Sequence, residues 1–223
     1  MRIILDGMGG DNAPLEIVKG AVEASSKIDH QIVIVGREDE INAELAKYNY
    51  DESKIQVVHA SEVIENEDSP VKAIRRKTDS SMVKGLTMLK DGEGDLFISA
   101  GNTGAYMAGS LFILGRIPGI DRPAISSIYP IAGGALPSII VDAGANSECR
   151  PSNLLEFAIM GSLYMEKVMD RKNARVGLVN LGVEENKGTT VTKAAHKLLK
   201  EADLNFIGNV EARDVPKGAC DVI

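Results

Sequence analysis

The sequence predicts a three-layer α/β architecture on a mostly parallel sheet, and three observations carry that prediction. Short β-branched runs such as Ile32–Val35 and Ile139–Val141 are apolar at consecutive positions, as strands covered by helices on both faces must be. Longer stretches of helical periodicity separate these runs. Glycine-containing turns follow several of them, as expected where a strand hands over to a helix.

Strands are expected at Ile3–Asp6, Gln31–Val35, Ile55–His59, Leu96–Ala100, Ala124–Tyr129, Ser138–Asp142, Arg175–Asn180 and Leu204–Ile207. A helical pattern over Ala105–Leu114 follows the fourth. Pro151 and Ser152 mark the start of a helix to Val168 that is apolar nearly all round, which predicts a buried central helix. Val191, Ala194, Ala195, Leu198 and Leu199 trace one apolar face of a helix over Thr189–Leu199. Between strands three and four, the acidic Glu62–Asp68 gives way after Ser69-Pro70 to Lys72, Arg75, Arg76 and Lys77. Residues 62–91 are therefore expected as an exposed helical excursion from a single α/β catalytic domain over 1–223. Asp221-Val222-Ile223 reads as the opening of a buried strand, so the chain is expected to be C-terminally incomplete.

At 223 residues, 44% hydrophobic and 26% charged, the chain can bury a sizeable core. A net charge of -7 with 4% aromatic residues argues against nucleic acid as a partner. Cys149 and Cys220 are far apart and outside any C-x-x-C spacing, so neither a disulfide framework nor a metal site is indicated. Strand-like sequence begins at Arg2 and no long apolar run occurs, which makes a cytoplasmic location without a membrane span the expectation.

Polar glycine turns are the chemical signal. Ser99-Ala100-Gly101-Asn102-Thr103-Gly104 runs from a strand into a helix, where exposed backbone N–H groups suit an anion such as phosphate. Asn102 and Thr103 add side-chain donors there, although both are also favoured helix caps. The same grammar recurs at Asp6–Asn12, Asp142–Asn146 and Gly182–Gly188. Lys187 lies in the last of these, where a cation would neutralise a bound anion and donate to a developing oxyanion; a solvated lysine is the alternative. Asn146 is a candidate neutral oxyanion donor, and Asp142 a carboxylate that orients Lys187 or Arg150, with structural turn formation the close alternative. The order Lys187-Gly188-Thr189 reverses that of a P-loop, and the first turn departs from G-x-G-x-x-G, so no nucleotide is implied. Cys149 has no His/Asn constellation around it, and His30, His59 and His196 are scattered.

Together, Asp6-Gly7-Met8-Gly9-Gly10-Asp11-Asn12-Ala13-Pro14, the 99–105 turn, Asp142-Ala143-Gly144-Ala145-Asn146, and Gly182–Gly188 with Gly208-Asn209-Val210-Glu211 resemble the bacterial phosphate acyltransferase family known as PlsX. The resemblance covers the whole chain in register and implies a fold similar to phosphate acetyltransferases and isocitrate-type dehydrogenases. It implies transfer of a fatty acyl group from acyl carrier protein to inorganic phosphate, giving acyl phosphate for phospholipid synthesis, with no cofactor.

The resemblance points the same way for Lys187, which with Asn146 and Asp142 makes up the expected catalytic set. Asp6, Gly9, Gly10, Asn12, Ser99, Gly101, Asn102, Thr103, Gly104, Gly188 and Asn209 would then contact phosphate or substrate. Family members are longer, so a homodimer, a downstream glycerol-phosphate acyltransferase partner and peripheral contact with the inner membrane face are expectations for the full-length protein. The basic patch Lys72, Arg75, Arg76, Lys77 and Lys84 is the expected docking surface for the acidic carrier protein. The alternatives are a phosphate acetyltransferase-like enzyme using coenzyme A, a dehydrogenase of similar fold, and a non-catalytic phosphate-binding or scaffold fragment.

Overall fold

Runs of Val and Ile fit a pleated surface covered on both sides, and all eight expected strands form in the computed structural model, which describes residues 1–134 and 136–223. They are β1 (Arg2–Asp6), β2 (Gln31–Gly36), β3 (Ile55–His59), β4 (Leu96–Ile98), β5 (Ser126–Tyr129), β6 (Ser138–Val141), β7 (Val176–Asn180) and β8 (Phe206–Glu211). The principal helices are α1 (Leu15–Ser25), α2 (Glu38–Leu45), α3 (Pro70–Arg76), α4 (Ser81–Lys90), α5 (Thr103–Gly109), α6 (Pro151–Lys167) and α7 (Thr190–Glu201). The described residues fall into two units, Met1–Arg116 and Ile117–Ile223.

In the first unit the strands pair in parallel, in the order β3-β2-β1-β4. Strand alternation separates two cores. Ile4, Val33 and Val35 pack with Ala73, Ile74, Met82, Leu86 and Phe97 on one face, whereas Ile32 and Ile34 pack with Val18, Ala21, Ile41 and Leu45 on the other. Helices thus cover both faces of the sheet. Residues 62–91 are not the exposed excursion expected: Ala73 and Ile74 of α3 and Met82, Val83, Leu86 and Met88 of α4 belong to the first core, because the apolar positions recur at helical spacing between the charges.

The helix after β4 changes pitch. α5 gives way to a π-helical segment over Ser110–Leu114, and at the change Ser110 Oγ donates to the Tyr106 carbonyl at 2.8 Å.

In the second unit, β5 and β6 are antiparallel and β7 and β8 parallel. Residues 221–223 lie between β6 and β7: Val222 bridges Ile139 and Val176, both in parallel, and the Val141 N–H donates to the Ile223 carbonyl at 2.8 Å. Asp221 anchors this segment. Arg175 donates to it from its backbone N–H at 2.8 Å, from Nε at 3.2 Å and from Nη2 at 2.8 Å, and Arg171 lies 3.1 Å away. β8 runs over 206–211 instead of 204–207, because the strand continues through Gly208, whose φ of 96° sits at an irregularity in the β7–β8 register.

One face of this sheet is covered by α6 and α7 through Ile139, Ala158, Met165, Val176, Leu199 and Val222. α6 is not buried all round. Phe157, Ala158, Gly161 and Met165 face the core, while Ile159, Leu163 and the following Val168 are exposed. No helix among the described residues is long and apolar enough to cross a membrane.

Candidate functional site

Each unit brings together part of the predicted site at the carboxyl ends of its parallel strands, the region where open α/β sheets bind ligands. In the first unit, Asp6 ends β1 and is buried. Its carboxylate accepts from the Met8 N–H at 3.2 Å and from Ser99 Oγ at 2.7 Å, and Ser99 Oγ in turn accepts from the Gly101 N–H at 3.1 Å. Asp6 and Ser99 therefore lock two turns together. A Cβ on Gly101 would lie 3.2 Å from the Gly9 Cα, so the two turns meet backbone to backbone.

Asn102 is fully engaged. Its Oδ1 caps α5 through the Ala105 N–H at 2.9 Å, and its Nδ2 reaches the carbonyls of Glu65, Asn66 and Asp68 at 3.1, 3.1 and 3.2 Å. This side chain clamps the acidic loop onto the helix start and has no donor left for phosphate. Gly104 is a contact glycine: its Cβ would fall 2.7 Å from Pro70 Cγ. Asn12 and Thr103 are exposed, and among the described residues the backbone N–H groups of Gly10, Asp11 and Asn12 have no protein acceptor. The donors this unit offers an anion are thus mainly backbone groups.

The basic patch is smaller than expected. Lys77 Nζ donates to the Val63 carbonyl at 2.7 Å and pairs with Asp68, and Lys84 Nζ donates to the His59 carbonyl at 2.6 Å and pairs with Asp79. These pairs hold both carboxyls below the usual carboxylate range. Lys72, Arg75 and Arg76 stay exposed, with Arg75 stacked 5.1 Å from the Phe112 ring centroid.

In the second unit, Asp142 follows β6 and is saturated by N–H donors. Oδ1 accepts from Ile125 and Ala145, each at 3.0 Å, and Oδ2 from the Asn146 backbone at 2.7 Å and its Nδ2 at 3.1 Å. Asp142 therefore orients Asn146, and not Lys187 or Arg150 as expected, because those amides surround it first. Asn146 Nδ2 also donates to the Pro123 carbonyl at 2.9 Å, so both of its hydrogens are engaged. Cys149 is half-buried; burial and the nearby Asp142 push its thiol up, and burial pushes the Cys220 thiol to about 11. Neither resembles an activated nucleophile.

Lys187 lies exposed in the turn between β7 and α7, and among the described residues its ammonium has no acceptor or ion-pair partner. The turn is pinned from both ends. Asn180 Nδ2 donates to the Lys187 carbonyl at 3.2 Å, and Asn209 Nδ2 donates to the Glu184 carbonyl at 2.8 Å. Gly188 has φ 93°, and a Cβ there would sit 2.3 Å from both Asn180 Oδ1 and Thr192 Oγ1. Asn180 was not among the residues expected from sequence. Its signal is the asparagine that closes a β-branched run directly before a glycine turn.

A family described as fatty acid synthesis protein matches over residues 1–223. The chain belongs to the fatty acid synthesis protein family. Among its relatives, a phosphate acyltransferase of Alkaliphilus oremlandii is 56% identical over 223 residues, covering 100% of this chain and 66% of that protein. Another, from Clostridium tetani, is 56% identical over 224 residues with the same shares covered. The family member described here thus spans about two thirds of the length of these relatives. Among solved structures, a phosphotransacetylase from Streptococcus pyogenes aligns with TM-score 0.71 at 16% identity over 100% of this chain and 76% of its own. The EutD phosphotransacetylase from Staphylococcus aureus aligns with TM-score 0.66 at 19% identity, covering 99% and 76%. These likenesses establish for this family member the three-layer α/β fold with a mostly parallel sheet.

Proposed function

We propose that this chain carries the catalytic region of a phosphate acyltransferase that moves a fatty acyl group from acyl carrier protein to inorganic phosphate, giving acyl phosphate for phospholipid synthesis. The observation that carries the reading is 56% identity, along the whole chain, to relatives named phosphate acyltransferase.

The chemistry asks little of the protein beyond placement and charge. A phosphate oxygen attacks the thioester carbonyl carbon, and the carbonyl electron pair moves onto its oxygen. When the tetrahedral intermediate collapses the C–S bond breaks, and the departing carrier thiolate takes a proton from water. Lys187, exposed and unpaired among the described residues, is the group in the second unit that neutralises phosphate and stabilises the oxyanion. Within the first unit taken by itself, the backbone N–H groups of the Gly10–Asn12 turn are, among the described residues, free to receive an anion. Asn146 and Asp142 shape their turn, since their polar atoms are already engaged. Neither cysteine is needed, because phosphate and a thioester react directly once held together.

Lys72, Arg75 and Arg76 remain the steering charges for an acidic carrier, and the exposed Ile159 and Leu163 of α6 support a homodimer. Peripheral contact with the inner membrane face and hand-over to a glycerol-phosphate acyltransferase belong to the same reading.

The test is release of holo-carrier from acyl carrier protein, measured on this chain and on one extended to the length of its relatives. Phosphate-dependent release by the extended protein, with little coenzyme A released when acyl coenzyme A is offered instead, is expected. Release that ignores phosphate, or acyl coenzyme A serving equally as acyl donor, overturns the reading.

A further inference from the structure

Asn209 is buried in β8, with its Cα in register with that of Leu178 on β7. Its Nδ2 donates to the Glu184 carbonyl at 2.8 Å, and that carbonyl also accepts from the Lys187 backbone N–H at 3.1 Å. The carbonyl fixes which end of the amide is which, since an oxygen cannot face it. The other end, Oδ1, is buried with no partner. Expected as a phosphate or substrate contact, Asn209 spends one amide hydrogen on the Glu184 carbonyl, and its buried Oδ1 is an acceptor that would repel a phosphate oxygen.

From this geometry we propose that Asn209 is a positioning residue for Lys187, acting through the Glu184 carbonyl that the two residues share. The proposal rests on the role given to Lys187 above. The mechanical reason is the length of the turn. Lys187 sits on a connection between β7 and α7 whose residues 183–187 are exposed, so little packing holds it. Asn180 secures the turn at the Lys187 carbonyl, and Asn209 secures it three residues earlier. The Lys200–Glu185 pair at 2.6 Å joins exposed side chains and restrains the backbone little. Without Asn209 the Glu184 carbonyl keeps only the local turn bond, and the Lys187 ammonium samples a wider arc. Misplacement of about 1 Å costs on the order of 100-fold in rate, so a loosened turn reads out in turnover.

The experiment is a double-mutant cycle in the full-length enzyme, combining Asn209→Ala with Lys187→Ala. Asn209→Asp is run beside it, as it keeps the size and loses the donor. Thermal midpoints are recorded so that rates are compared while every variant is folded. In the Lys187 enzyme, both Asn209 variants are expected to lower kcat by about 10- to 100-fold with the KM for phosphate nearly unchanged. In the Lys187→Ala enzyme they are expected to cost nothing further. Losses that multiply, or a raised phosphate KM at constant kcat, would mean that Asn209 meets the ligand itself and overturn the positioning role alone. Near-normal turnover of Lys187→Ala by itself would overturn this proposal together with the reading of Lys187.

Discussion

Asp142 holds Asn146 at two points, since the Asn146 backbone N–H and its Nδ2 both donate to the same carboxylate oxygen, at 2.7 and 3.1 Å. With the second Nδ2 hydrogen on Pro123, this asparagine works inside its own turn. Asn146→Ala is expected to destabilise the protein by about 1–2 kcal/mol, the cost of stranding partly buried hydrogen-bonding partners, and to change kcat by less than about tenfold. Denaturant unfolding beside steady-state kinetics checks it; a hundredfold loss of kcat at full stability would return Asn146 to the oxyanion.

Lys187→Ala should lower kcat by roughly 10² to 10³, the range for losing one oxyanion donor. Since its ammonium has no structural partner among the described residues, the thermal midpoint should stay within a degree or two of the parent. Loss of fold in step with loss of rate would show that Lys187 is structural.

Gly188→Ala tests the turn from its other end. The φ of 93° and the crowding against Asn180 and Thr192 leave no room for a methyl group. Strain and overpacking together predict a cost of about 2–4 kcal/mol, accompanied by a fall in kcat as the Asn180–Lys187 contact is displaced. A stable, fully active variant would contradict the described turn.

Stability should fall in acid through Asp221. Burial opposes its charged form, but the hydrogen bonds from Arg175 and the charge of Arg171 outweigh burial and hold the carboxyl below its ordinary value. A carboxyl lowered on folding stabilises above its unfolded pKa of about 3.9 and loses that contribution as pH falls through the folded value. Asp221→Asn should therefore be less stable by about 1–3 kcal/mol near neutral pH, the scale for losing charge-assisted hydrogen bonds to a buried carboxylate whose partners reach solvent. The gap should close on acidification below about pH 4. Unfolding midpoints from neutral pH down to pH 2 decide it, and a gap that widens in acid would refute the assignment.

Two kinds of lysine and arginine share the segment around α3. Reversing Arg75 and Arg76 to glutamate should slow association with an acidic carrier and flatten its salt dependence, while a small acyl-pantetheine thioester reacts as before. Lys77→Ala should instead lower stability, since Lys77 ties the Val63 carbonyl and Asp68 to the helix. Equal kinetic losses with both thioesters would place the arginines in the fold or the active site.

The strands were legible because their side chains record burial directly: Val33 and Ile34 face different cores, and both must be apolar. The turns were legible as turns because Gly188 and its counterparts are dictated by local backbone geometry. What each polar side chain does was not. The cap that Asn102 gives Ala105 was legible locally, but the further partners of Asn102 and Asn146 lie 34 to 37 and 23 residues away in the chain, and no local pattern encodes those distances. Lys77 and Lys84 read as surface charge for the same reason, since their acceptors come from the preceding loop and strand end. The sequence predicts an enclosed α6 because composition reports how apolar a helix is, and says nothing about which face a neighbour reaches.

The placement of residues 221–223 between β6 and β7 has a consequence in time. During synthesis β6 emerges roughly eighty residues before the segment that becomes its parallel neighbour, as the bond between Ser138 and Cys220 spans 82 positions. Until then that edge of β6 is open, with Ile139 lacking the cover it later receives from Val222. Closing so long a loop is slow compared with forming helices or hairpins. The second unit should accordingly fold later than the first, with the open edge of β6 in most need of shelter from other unfinished strands.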